Sequence, residues 1–124
     1  MVKLLFAPSQ SSQAEGKAFA ARLMLRQEDR EPLSGPKVAG AQIKAFRAWE
    51  RVTGERFANL GKITQPCLVV NGRFDNMIPV RNSYMLDEHL PNAMLLTYPD
   101  AGHGSLFQFH DSFVKQAELF LDSE

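Results

Sequence analysis

The chain has 124 residues, 44% of them hydrophobic and 23% charged, with 14 basic residues set against 14 acidic ones. That length holds one small domain, and a balanced charge without a basic stripe argues against nucleic acid or an anionic membrane surface as a partner. Apolar runs fall far short of the roughly 20 residues of a membrane span, "MVKLLFAPSQ" is too short for a secretory signal, and a single cysteine, Cys67, allows no internal disulfide; cytoplasm is the expected compartment.

Residues 1–60 are helical in pattern. "VKLLFA" at the amino terminus is a short apolar run that offers a strand. The Ser-rich "FAPSQSSQ" supplies several N-caps for a helix over "AEGKAFAARLMLRQ", where Ala, Phe and Leu recur at helical spacing. Gly16 inside it costs about 1 kcal/mol relative to Ala. A Pro/Gly-bearing connector, "EDREPLSGP", comes next, in which Ser34 is placed to cap and Pro36 suits a first helical turn. Val38, Ala41, Ala45, Phe46 and Trp49 mark one face of a second helix reaching about Arg51. "VTGERFANLGKITQP" is a polar link whose Phe57, Leu60 and Ile63 are expected to pack locally.

Residues 61–124 alternate strand and helix. Cys67 to Val70 form an unbroken apolar run of β-formers, with Cys67 a small buried filler; Asn71 and Gly72 are expected to stop the strand, and Asp75 lies beyond them in a loop ending at Pro79. "VRNSYMLDEHL" reads as a helix with Val80, Tyr84 and Leu90 inward. Pro91 and Asn92 turn the chain into a second strand, "AMLLTYP". Strand, helix, strand at this length is a βαβ unit, so the two strands are parallel neighbours with a right-handed crossover. A second loop, "DAGHGSL", sets His103 between two glycines. The last helix runs from about Phe109 to Leu121 and is expected to bury Phe113, Ala117, Phe120 and Leu121.

Adjacent parallel strands deliver their carboxyl ends to one edge of the sheet, where open α/β sheets place their chemistry. Asp75 and His103 come just after those two ends, so the topology predicts that they meet. An Asp bonded to one imidazole nitrogen fixes the tautomer and leaves the other nitrogen free as a base. Read singly, a loop Asp caps a turn and a lone His is structural; their position at successive strand ends favours a catalytic pair. His89 and His110 sit at helix ends, where capping and dipole effects suffice. A metal site from His103, His110 and Asp111 is the weaker alternative. Trp49 and the methionines read as packing, and no cofactor is implied.

With these residues in place, the stretch "ITQPCLVVNGRFDNMIPVRNSYMLDEHLPNAMLLTYPDAGHGSLFQFHDSFVKQAELFLDS", residues 63–123, resembles the carboxyl-terminal half of an α/β-hydrolase. In that family an "I-x-x-P" lead-in precedes the strand, a "G-x-x-D-x-x-x-P" loop carries the triad acid and "G-H" carries the triad base. The matching residues are Gly72, Asp75, Pro79, Gly102 and His103. Residues 1–60 are similar to the helical cap such enzymes insert before this region. The resemblance implies a partial α/β-hydrolase fold, a cap-like segment followed by a parallel βαβα unit.

The family also requires a serine in a "G-x-S-x-G" elbow, preceding the acid and the His in chain order. No two glycines of this sequence stand four apart, so no such elbow exists in it. Ser105 shares the His103 loop and Ser83 falls after the acid; neither occupies the elbow's place. The family's oxyanion segment is likewise absent from these residues. Two parallel strands rarely stand alone, and an unpaired apolar edge seeks another strand. The expectation is therefore a protein that pairs with its own copy, as a homo-oligomer, or docks onto a separate amino-terminal hydrolase half, unless "VKLLFA" supplies a third strand. Three functions compete: the acid–base part of an acyl or ester hydrolase acting on a small molecule and inactive alone; a non-catalytic dimerisation or binding module; and chemistry by the His–Asp pair without a serine.

Overall fold

The computed structural model describes residues 1–31, 34–51 and 54–123. Its elements, in chain order, are helices α1 (Val2–Leu5), α2 (Gln10–Leu23) and α3 (Pro36–Trp49), a 3-10 turn at Leu60–Lys62, strand β1 (Cys67–Gly72), α4 (Val80–His89), β2 (Ala93–Tyr98), α5 (Ser105–Gln108) and α6 (His110–Leu121).

β1 and β2 pair in parallel, from Cys67 against Ala93 to Gly72 against Tyr98. The expected βαβ unit is present, with α4 packed against both strands. Asn71 and Gly72 do not end β1; they pair with Thr97 and Tyr98 and carry the strand two residues further. The sheet holds these two strands alone among the described residues, so β1 keeps its outer edge free.

The run "VKLLFA" forms no third strand. Val2–Leu5 is a helical turn lying against α2, and Gly16 explains why it fits there. A Cβ on Gly16 would stand 2.5 Å from Val2 Cγ1 and 2.7 Å from the Phe6 ring, so the helix gives up propensity to let α1 approach. Ser9 caps α2 by accepting the Ser12 N–H at 3.1 Å, so the helix starts four residues earlier than the apolar spacing indicates.

Ser34 does not cap α3. Gly35 occupies that position, with Pro36 in the first turn as expected. Every residue of α3 is exposed, with Trp49 82% and Phe46 62% accessible, so the shared face read from the sequence is real but uncovered. Phe57 is half-buried and packs on the α4 end, its ring 4.1 Å from the ring of His89. Two expected inward residues face outward: Tyr84 is 48% exposed, its place on α4 taken by buried Ser83, and Leu121 is 72% exposed at the end of α6. Phe113, Ala117 and Phe120 are half-buried, as is Cys67, a free thiol whose Sγ donates weakly to the Gln65 carbonyl.

The buried apolar residues among those described are Phe6, Ala7, Tyr98 and Ala101. They cluster at the carboxyl edge of the sheet. Phe6 lies 5.9 Å from Phe19, which stacks at 4.4 Å on Phe107, and Tyr98 stacks on Phe109 at 4.8 Å. Aromatic pairs of this kind contribute about 0.5–1.5 kcal/mol beyond burial. The Phe19–Phe107 stack fastens α2 to the segment just after His103, and the Tyr98–Phe109 stack fastens the end of β2 to it. Phe6 and the Leu5 carbonyl come close to Gly102 and Gly104, so this buried cluster adjoins the loop that carries the imidazole.

Candidate active site

Asp75 is delivered by a loop stitched to its neighbours through the backbone. Arg73 N–H donates to Tyr98 O at 3.0 Å, Phe74 N–H to Ala101 O at 2.8 Å, and Asp75 N–H back to Gly72 O at 3.2 Å. The two carboxylate oxygens then divide the work. Oδ1 accepts the N–H groups of Met77 and Ile78 at 2.8 and 2.9 Å, while Oδ2 lies 2.9 Å from His103 Nδ1. The turn-capping role of a loop Asp and its role toward the His are thus both realised, one per oxygen.

The side chain of Asp75 is 2% exposed and that of His103 is 36% exposed. A carboxylate has only lone pairs to offer, so Nδ1 of the neutral imidazole donates and Nε2 is left as the acceptor. That is the protonation a general base requires. The pairing predicted from the strand ends is present in the structure.

The His103 loop bends against the amino-terminal segment. Gly104 N–H donates to Leu5 O at 2.6 Å, and a Cβ on Gly102 would stand 2.7 Å from that same oxygen. Glycine is required there by the approach of another backbone. Beside the pair lies an open cleft of about 400 Å³, lined by Val70, Asp75, Ile78, Ser83, His103 and Phe107 among others.

The other serines and histidines singled out in the sequence have separate duties. Ser83 is buried on α4 and accepts from Asn71 Nδ2 at 3.0 Å; Ser105 is buried at the start of α5. Both line the cleft, and neither is hydrogen-bonded to His103. His89 donates from Nδ1 to Met85 O at 2.9 Å, and His110 donates to Phe107 O at 3.3 Å with Asp111 3.5 Å away. Among the described residues no three His, Cys, Asp or Glu side chains gather as a metal site, so His103, His110 and Asp111 do not form one. No described helix is long and apolar enough to cross a membrane.

Sequence reasoning missed Asn71, whose side chain clamps the acid loop by donating to Ile78 O at 3.1 Å and to Ser83. An Asn at the end of an apolar run reads as a strand stop; its second use depends on a contact twelve residues away.

A parallel βαβ unit whose two strand ends carry a buried carboxylate and an imidazole at one sheet edge is an open α/β arrangement. The family model of the alpha/beta hydrolase fold matches residues 8–109, and the chain belongs to that family. Among solved structures, an alpha/beta hydrolase fold protein from Chitinophaga pinensis superposes with a TM-score of 0.88 at 39% identity, over 98% of this chain and 43% of that one. A serine hydrolase involved in carbazole degradation shares the fold, with a TM-score of 0.61 and 22% identity over 71% of this chain and 34% of its own. A pimeloyl-[acyl-carrier protein] methyl ester esterase from Nitrosomonas europaea is 34% identical over 62 residues, 50% of this chain and 25% of the esterase. A 2-hydroxymuconate semialdehyde hydrolase from Pseudomonas putida is 35% identical over 54 residues, 44% of this chain and 19% of the hydrolase. The chain thus spans about a quarter or less of the length of these curated relatives.

Proposed function

We propose that this chain carries the acid–base half of an ester or acyl hydrolase, with Asp75 as the orienting acid and His103 as the general base. The observation that carries the reading is the 2.9 Å contact of His103 Nδ1 with a carboxylate oxygen whose partner oxygen is anchored by two backbone N–H groups. An acid so held cannot swing away from the ring. The methyl ester esterase name of one relative supports the ester class, and the hydrolase name of the other supports hydrolysis more broadly.

In this reading Nε2 of His103 takes the proton of an attacking serine hydroxyl, and the imidazolium is stabilised by Asp75. It then returns the proton to the leaving alcohol, and water repeats the cycle on the acyl-enzyme. The serine and the oxyanion donors lie outside these residues, in amino-terminal hydrolase sequence whose strands add to the free edge of β1. A fluorophosphonate probe tests this. The expected result is no labelling of this chain alone and labelling of a serine on the complementary half when the two are mixed. Covalent labelling of a residue of this chain would overturn the assignment.

The free edge of β1 also favours a second reading, a non-catalytic module that pairs with its own copy. Light scattering separates the two. A tight homodimer that an added amino-terminal half does not disturb favours the module.

A further inference from the structure

The amino-terminal end of α2 and the His103 loop are joined by a chain of side-chain hydrogen bonds that the acid–base pair does not itself require. Ala7 N–H donates to Ser12 Oγ at 2.9 Å, and the Ser12 hydroxyl, on a residue with no solvent exposure, donates to Gln108 Oε1 at 2.7 Å. Gln108 Nε2 donates to the Asp100 carbonyl at 2.8 Å. The hydroxyls of Ser9 and Ser11 donate to Asp100 Oδ2 at 2.6 and 2.7 Å.

The direction of each bond is fixed. Ser12 Oγ already accepts from Ala7, so its proton goes to Gln108. Turning the Gln108 amide over would set its oxygen against the Asp100 carbonyl oxygen, two acceptors facing each other. Asp100 has φ +51°, a conformation Asp tolerates better than most residues, and the strap holds it there. Asp100 precedes His103 by three residues and Gln108 comes five after it. The Gln108 side chain therefore closes the loop on itself, and Ser12 ties that closure to α2.

We propose that Ser12, Gln108 and Asp100 are positioning residues: their strap fixes the backbone of the His103 loop and thereby the angle at which the imidazole meets Asp75 and presents Nε2. The proposal rests on Asp75–His103 being the working pair, and it predicts a property of the ring that can be read without substrate. A catalytic base is only as well aimed as the groups that support it, and a displacement of about 1 Å costs on the order of 10²-fold in rate.

The test is the His103 imidazole observed by nitrogen-15 NMR in the intact chain, assigned by comparison with His89 and His110 variants. In the native protein His103 shows a single tautomer protonated at Nδ1. Gln108→Leu, which removes both the acceptor for Ser12 and the donor to Asp100, is expected to retain the far-ultraviolet circular dichroism of the parent. Its His103 is expected to show mixed tautomers, with Nδ1 proton exchange faster by about tenfold, the worth of one net hydrogen bond of roughly 1.4 kcal/mol. Ser12→Thr, which keeps the hydroxyl, restores the slow exchange that Ser12→Ala loses. A folded Gln108→Leu with an unchanged tautomer and exchange rate overturns the proposal. Should that variant fail to fold, Ser12→Ala, which removes only the hydroxyl that donates to Gln108 Oε1, is read the same way, an unchanged ring again being fatal. Failure of the hydrolase reading shows separately, as an absence of probe labelling in the mixed halves while the strap variants still alter the ring.

Discussion

Gly72, the last residue of β1, sits face to face with the His103 loop. A Cβ built on it would land on the carbonyl oxygens of Gly102 and Ala101. The two loops that hold the acid and the base are thus in backbone contact at the sheet edge, and this contact sets how near Asp75 and His103 can come. The obstacle is main chain rather than a flexible side chain, so it cannot be relieved by a rotamer change.

Gly72→Ala is therefore expected to cost at least the 1–3 kcal/mol typical of overpacking, about the same as losing a well-made helix cap or more. Urea unfolding followed by circular dichroism checks the loss. The same variant should push the two loops apart and weaken the Asp75–His103 bond. An Ala at Gly61, which meets nothing within 4 Å, serves as the neutral comparison.

Asp75→Asn and Asp75→Ala separate the acid's two duties. Asn keeps an oxygen for the Met77 and Ile78 N–H groups but offers an NH₂ to His103, forcing the ring into the Nε2-protonated tautomer. Stability should fall little, while turnover in a reconstituted enzyme should drop on the order of 10⁴-fold, the effect of a wrong tautomer in a comparable triad. Ala instead leaves two amides without their acceptor, at about 1–3 kcal/mol for each that stays buried. Parallel urea titrations and nitrogen-15 spectra of the two variants distinguish these outcomes.

The Ser9 and Ser11 hydroxyls beside Asp100 hold its carboxyl below the ordinary value of 3.8, because both donate to the ionised form. The folded value being the lower one, the stabilisation is complete above the unfolded carboxyl's pKa and is lost as pH falls through the folded one. The advantage of the parent over Asp100→Asn should be constant from pH 5 to 8, within the range where the free carboxyl, near 3.9, is ionised. Below about pH 4 that advantage should shrink. Urea midpoints of the two proteins at pH 7 and pH 3 check this; a gap that widens in acid contradicts the strap as drawn.

The meeting of Asp75 and His103 was legible because topology dictates it. Two apolar runs bounded by Pro, Asn and Gly, with ten helical residues between them, leave a parallel pair as the natural solution, and a parallel pair brings the loops after its two strands to the same edge. "VKLLFA" was not legible, since a short apolar run fits strand and helix alike. Its state is decided by the space Gly16 leaves on α2, a tertiary fact. α5 was missed because four residues complete only one turn and show no period. Periodicity also tells which residues of α3 share a face, yet nothing about what covers it. The strap to Asp100 joins residues 91 and 96 positions apart by hydroxyls and an amide, and no local pattern announces such a contact.

Tyr98 closes β2 and carries one of the least comfortable groups in the interior. Its ring is buried against Phe109, and its hydroxyl has no hydrogen-bond partner among the described residues. A phenol taken from water without a partner forfeits its solvation, a penalty of about 1–3 kcal/mol for a buried polar group. The ring itself is well used, stacked nearly parallel with an interplanar angle of 5°. Tyr98→Phe keeps the ring and removes the unsatisfied oxygen. The expected outcome is a protein as stable as the parent or more stable, by up to about 1 kcal/mol, seen as a higher urea midpoint with an unchanged slope. Tyr98→Leu, which removes the stack as well, should be destabilised. If the Phe variant proves the weaker protein by a similar margin, the hydroxyl has a hydrogen-bond partner in the isolated chain in solution, a bound water or a neighbouring polar group of the same chain.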